Sequence, residues 1–144
     1  MNSLKTRFTE DAKIQYPIIG GAMYPCSSPQ LVAAVSAAGG IGIVQPISFT
    51  YVRHYDFRAS LKLIQSITDK PFGLNIILMP GYEDRLKNWL DIALEEGCRF
   101  VITSLGKPTW VVERVHAAGG VVYHDVIKRE HAQNAIDVGV DGII

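Results

Sequence analysis

The sequence predicts an α/β fold of the TIM-type (β/α)8-barrel class, with its 144 residues forming about the first five and a half β/α units of a single domain. Three observations lead there. A segment rich in alanine or acidic residues runs four times into glycine and then into apolar residues: Ala37-Ala38-Gly39-Gly40-Ile41, Glu95-Glu96-Gly97-Cys98-Arg99-Phe100, Ala117-Ala118-Gly119-Gly120-Val121 and Asp137-Val138-Gly139-Val140-Asp141. Each reads as a helix stopped by a glycine at positive φ, followed by a strand. The strands are apolar on both faces and do not alternate, as parallel strands covered by helices do. The sequence also stops inside an apolar run, Asp141-Gly142-Ile143-Ile144, where a self-contained doubly wound sheet would be expected to finish with a covering helix. A full barrel takes about 250 residues; the expectation is an N-terminal part of one.

The elements follow in order. Strands are expected near Pro17–Gly20, Ile41–Gln45, Phe72–Ile77, Phe100–Thr103 and Val121–His124, with a sixth starting at Asp141. Ser28-Pro29 has the form of an N-cap followed by proline in the first turn, and Leu31, Val32, Val35 and Ala38 form the apolar face behind it. Asp69-Lys70-Pro71 marks a boundary before the third strand, since the residue preceding proline disfavours helix. Leu86, Leu90, Ala93 and Leu94 share a helical face, Pro108 opens a helix carrying Val111, Val115 and Ala118, and Ala132, Ala135 and Ile136 face inward on the last helix. Strict alternation of strand and helix implies right-handed crossovers.

Composition narrows the function classes. The chain is 48% hydrophobic and 19% charged, ample for a core, and 14 basic residues balance 14 acidic ones without clustering. No nucleic-acid partner and no membrane is expected, nor a secretory leader, and a reduced cytoplasm suits Cys26 and Cys98, which are too far apart for a zinc or redox pair. No metal site is expected. Both are read as inert, as His54, His116 and His131 are read as packing or solvent residues, and Trp89 and Trp110 as helix-packing residues.

In parallel α/β folds ligands gather at the carboxyl ends of the strands. Those ends carry Gly20-Gly21-Ala22-Met23, Gln45, Asn75, Thr103-Ser104-Leu105-Gly106 and His124-Asp125. Glycines before Ala22 allow backbone to approach a flat ring, Met23 is polarizable, and an asparagine ending a buried strand needs partners. His124 beside Asp125 has the form of a histidine held by a carboxylate, which favours the charged imidazolium.

The stretch from Tyr16 to Met23 resembles the opening strand of nitronate monooxygenases, formerly 2-nitropropane dioxygenases. Leu31 to Val44 resembles their next helix and strand, and Lys70 to Asn75 their third strand. His131-Ala132, Ala135 and Gly139 to Gly142 resemble their fifth helix and sixth strand. The resemblance implies an FMN-dependent barrel, a flavoprotein monooxygenase that oxidises alkyl nitronates, a small-molecule substrate, with molecular oxygen. It places Gly21, Ala22, Met23, Asn75, His124 and Asp125 at the cofactor. It also implies that the catalytic histidine and the phosphate site follow Ile144, so that these residues alone are inactive, and that a missing C-terminal half or self-association covers the outer strands. Asp125 departs from the family pattern, in which lysine commonly follows the strand-five histidine. Flavin enoyl-ACP reductases share the same segments, and a non-catalytic, self-associating half-barrel is a third reading.

Overall fold

The computed structural model describes residues 4–144. Its elements, in chain order, are α1 (Arg7–Asp11), β1 (Ile19–Gly20), α2 (Pro29–Ala37), β2 (Ile41–Val44), α3 (Phe57–Ile67), β3 (Phe72–Ile77), α4 (Glu83–Glu95), β4 (Phe100–Ser104), α5 (Thr109–Ala117), β5 (Val121–Asp125), α6 (Arg129–Val138) and β6 (Gly142–Ile143), with a single π-helical turn, Ser48–Val52, between β2 and α3. The six strands pair in the order β1-β2-β3-β4-β5-β6, every neighbour parallel. Sequential order with one helix per crossover is barrel topology, since a doubly wound sheet would reverse its order around a first strand.

The expected helix stops have the geometry that selects glycine. Gly39, Gly97, Gly119 and Gly139 all sit at positive φ, between 71° and 95°. Ser28 caps α2 by accepting from the Leu31 N–H, with Pro29 in the first turn. Asp56 caps α3 in the same way through Ala59.

Two apolar clusters lie on the two faces of the sheet. The larger joins Val44, Leu74, Ile76, Val101 and Val122 to the helices through Val32, Leu61, Ile64, Leu90 and Val115. The smaller fills the concave side: Ile41, Ile43, Phe100 and Ile102, with Val121 and Tyr123 against them and α1 laying Phe8 and Ala12 across the amino end. Alternation along each strand therefore decides which side chains look inward. Gly73 looks inward, where a Cβ would stand 2.6 Å from Ile43 Cδ1 and 3.1 Å from Phe100 Cδ1, so glycine lets those two side chains fill one layer. Gly42 looks outward, and its missing Cβ lets α2 rest on β2.

Three helix faces differ from expectation. On α2 the buried residues are Pro29, Val32, Ala33 and Ser36, whereas Leu31 and Ala38 are exposed. The helix is apolar nearly all round, so its sequence does not fix the buried stripe. On α4, Leu86, Leu90 and Ala93 are buried with Trp89 packing beside them, whereas Leu94 is only partly buried, and on α6 only Ala135 is buried while Ile136 is exposed.

Candidate functional site

The carboxyl ends of the strands build a layered polar rim on the concave side. Register places Val44 beside Leu74, which sets Gln45 beside Asn75 one step on, and pairs Asn75 with Ile102 and Tyr123 with Gly142 in one level. Ile77, Ser104 and Asp125 form the level above. Ala22 packs against the inner cluster just past β1.

Asn75 has the inward parity of Gly73 and is half-buried. Its amide is loosely satisfied. It accepts from Gln45 Nε2 at 3.3 Å and donates to the Ile102 carbonyl at 3.5 Å, both near the limit of a hydrogen bond. Gln45 is only 5% exposed, and the Asn75 oxygen is its side-chain partner. A buried and a half-buried amide facing each other across long contacts retain donor and acceptor capacity for a third group. Gln45 ends an apolar strand, and that polar interruption was the signal that could have assigned it.

The loop after β1 presents its backbone. A Cβ on Gly21 would meet nothing within 4 Å, so the space in front of that peptide is open. The Met23 N–H donates to Ser27 Oγ at 2.9 Å and its carbonyl accepts from the Ser27 N–H at 2.7 Å, while the side chain is 48% exposed. Ser27 thus fixes this loop from behind and leaves the methionine thioether free. Open peptide, polarizable side chain and under-satisfied amides together fit a flat heteroaromatic group bearing donors and acceptors.

His124 corrects the expectation of one shared face. It follows Val122 in parity and lies with Thr103 on the helix side of the sheet, bordered by Asn134 and Ala135 of α6. Its Nδ1 is 2.7 Å from Thr103 Oγ1, and the residue is 4% exposed. Burial lowers its pKa below the usual imidazole value, with the His131 charge acting the same way and the Asp125 carboxylate opposing them. The expectation that Asp125 would hold it charged is therefore overturned, because desolvation outweighs a neighbour that is itself exposed. Asp125, one residue on, carries the inward parity of Tyr123.

Cys98 lies in the core with its thiol pushed up to about 12 by burial, which makes it unreactive, and Cys26 is exposed. His116 pairs with Asp141 at 2.9 Å, and the same carboxylate accepts from the Val122 N–H, a strand-to-helix brace. Among the described residues no cluster of metal-ligating side chains occurs, and no helix is long and apolar enough to cross a membrane.

A family model described as nitronate monooxygenase matches residues 5–144. A 5-hydroxy-7a-methyl-1-oxo-octahydro-1H-indene-4-carboxyl-CoA dehydrogenase of Rhodococcus jostii is 28% identical over all of this chain and 39% of its own length. A nitronate monooxygenase of Pseudomonas aeruginosa is 42% identical over 88 residues, 59% of this chain and 24% of the relative. The solved structure of FabK from Thermotoga maritima superposes with a TM-score of 0.80 at 32% identity, covering 98% of this chain and 43% of that one. The chain thus spans about two fifths of the length of the Rhodococcus relative.

Proposed function

The chain belongs to the nitronate monooxygenase family, and from that membership we propose that it forms the flavin-facing half of an FMN-dependent oxidoreductase acting on alkyl nitronates with molecular oxygen. The observation that carries the reading is Asn75: its side chain turns to the concave side, at the level of Gln45, with both amides incompletely paired. An amide pair joined only by long contacts at a half-buried strand end keeps hydrogen-bonding capacity for another partner.

In this reading the open peptide at Gly21, the Ala22 backbone and the Met23 side chain lie against the ring, and Asn75 with Gln45 hydrogen-bonds its polar edge. Asp125 stands where the family commonly has lysine, so the flavin would meet a carboxylate there, which disfavours extra negative charge on a reduced ring. The flavin supplies the electron acceptor when bound, and the protein supplies position and polarity. His124 takes no part in holding it, since its side chain lies behind the sheet.

A second reading, a dehydrogenase or reductase of acyl thioesters, is favoured by one specific match. The carboxyl-CoA dehydrogenase of Rhodococcus jostii aligns over this entire chain, whereas the Pseudomonas nitronate monooxygenase aligns over 59% of it.

Flavin fluorescence tests the cofactor, and oxygen consumption with a nitronate or a CoA thioester tests the chemistry. FMN titrated into the protein is expected to lose fluorescence saturably, and Asn75→Leu to weaken that binding about tenfold, the cost of one or two hydrogen bonds to a buried polar edge. Unchanged FMN binding by Asn75→Leu would remove the reading's main support.

A further inference from the structure

Between β2 and β3 on one side and the first turns of α4 on the other lies a cavity of about 240 Å³. Its floor is the Gln45–Asn75 pair at the strand ends, and its walls include Ile77, Leu86 and Trp89. All of these belong to inner strands of the sheet and the helix packed on them. At the helix side Arg85 is held among three rings, its guanidinium carbon 5.0 Å from the centre of Tyr51, 5.4 Å from Tyr82 and 5.9 Å from Trp89. Tyr82, the N-cap of α4, and Trp89 flank Arg85 on its own helix, while Tyr51 reaches it from the π-helical turn after β2.

Arg85 has no ion-pair partner and donates no side-chain hydrogen bond among the described residues, although Arg58 and Arg114 of this chain both bind carboxylates. Contact with ring faces leaves the guanidinium N–H groups available, and five such donors in a fork match a carboxylate or phosphate. Arg85 is exposed, and an unpaired cation at the edge of an apolar cavity suits a ligand that is apolar in its body and anionic at one end. A small alkyl nitronate carries its charge at the reacting end and has too short a carbon body to fill the apolar cavity.

We propose that this cavity is the substrate-skeleton site and that Arg85 receives an anionic group carried by the substrate at the end remote from the flavin. The assignment rests on the flavin reading for its orientation, with the reacting carbon at the Gln45–Asn75 side. It narrows the substrate class to an apolar carbon skeleton of medium length bearing a carboxylate or phosphate. Tyr51, Tyr82 and Trp89 are positioning residues that hold the guanidinium at the edge of the cavity.

Trp89 reports occupancy directly, so the test needs no turnover. In a Trp110→Phe background, where Trp89 is the sole tryptophan, decanoate and decanol are titrated against its emission, with FMN affinity measured separately by flavin fluorescence. Decanoate is expected to give a saturable change and to bind about tenfold tighter than decanol. Arg85→Gln should abolish that preference, Arg85→Lys should retain part of it, and both should leave FMN affinity unchanged. Ile77→Phe should fill the space and remove binding of both ligands. An absent saturable change, or a preference for decanoate that survives Arg85→Gln, overturns the assignment. FMN failing to bind while the charge preference holds would defeat the flavin reading and leave Arg85 as the anion site of the cavity.

Discussion

Replacing Gly42 by alanine should cost this fold a large part of its stability, and the structure gives the reason in distances. A Cβ there would stand 2.2 Å from the Val32 carbonyl oxygen and 2.8 Å from its carbon and Cα, all backbone atoms of α2. No rotamer change can relieve such a contact, so α2 must lift off β2 by roughly 1 Å to restore ordinary separation. That movement also stretches the bond from the Gly42 N–H to Ser36 Oγ, now 3.1 Å and fully buried. Overpacking against an unyielding neighbour costs about 3 kcal/mol, and a weakened buried hydrogen bond adds about 1 kcal/mol. Reduced freedom of the unfolded chain returns about 0.5 kcal/mol, for a net loss near 3–4 kcal/mol. At roughly 4 °C per kcal/mol for a domain of this size, Tm should fall by about 12–16 °C. Calorimetry or circular dichroism against temperature reads it, with Gly97→Ala as the comparison. Gly97 sits at φ +85° with nothing within 4 Å, so only left-handed strain of about 1–2 kcal/mol applies there. A Gly42→Ala protein that melts within 3 °C of the parent, or no lower than Gly97→Ala, would refute the packing argument.

Gly21→Val is expected to leave Tm within about 2 °C, because a Cβ there meets nothing, yet to weaken FMN binding more than tenfold by occupying the open peptide face; equal affinities by fluorescence titration would show that the ring does not lie there. Thr103→Val removes the partner of a buried imidazole and should cost about 1–3 kcal/mol in urea unfolding, with a null result showing that the 2.7 Å contact carries no weight. Stability should also depend on pH through His124. Its folded pKa is lowered, so the unfolded chain binds the proton first; stability is complete above about pH 6.5 and falls as pH drops below it. Denaturation midpoints from pH 8 to 5 read this slope, and a His124→Gln protein should lose that part of it.

Much of this fold is written in local chemistry. Glycine at positive φ ends four of the helices where the repeat placed it, and β3 spans Phe72–Ile77 as expected. Those features depend on residues acting alone or on neighbours a few positions away. What was not legible depends on geometry between distant segments. α1 is only five residues long and carries no periodic apolar face, and its role, setting Phe8 5.7 Å from Phe100 and Asp11 against the Tyr123 hydroxyl, exists only once the sheet has curled. α3 has a clear Asp56 cap and buries Phe57, Leu61 and Ile64, but no glycine stops it, so the repeat did not mark it. Tyr82, Arg85 and Trp89 share one helix, but the Arg85 cage also needs Tyr51, brought to it from the turn after β2.

The rim of the site shows why strand parity outranks chemical type in choosing functional residues. His124 has what a general base needs in charge state, since burial keeps its imidazole neutral as pH falls toward its ordinary value. It lacks the position, because it shares the outward parity of Val122 and gives Nδ1 to Thr103 behind the sheet. Asp125 has the position and offers a carboxylate in place of an imidazole. Asn75 and Gln45 have the inward parity and neutral amides, suited to orienting a polar ring and unable to remove a proton from carbon. A proton abstraction by imidazole at this rim therefore requires a base that none of the strand ends β2 to β5 provides. That is a geometric argument for a base on another element, and it agrees with the resemblance, which sets the histidine after the sixth strand. In the proposed reading the residues from Gly21 to Asp125 would bind and orient, and any proton abstraction at carbon would fall to a group approaching from outside these strand ends.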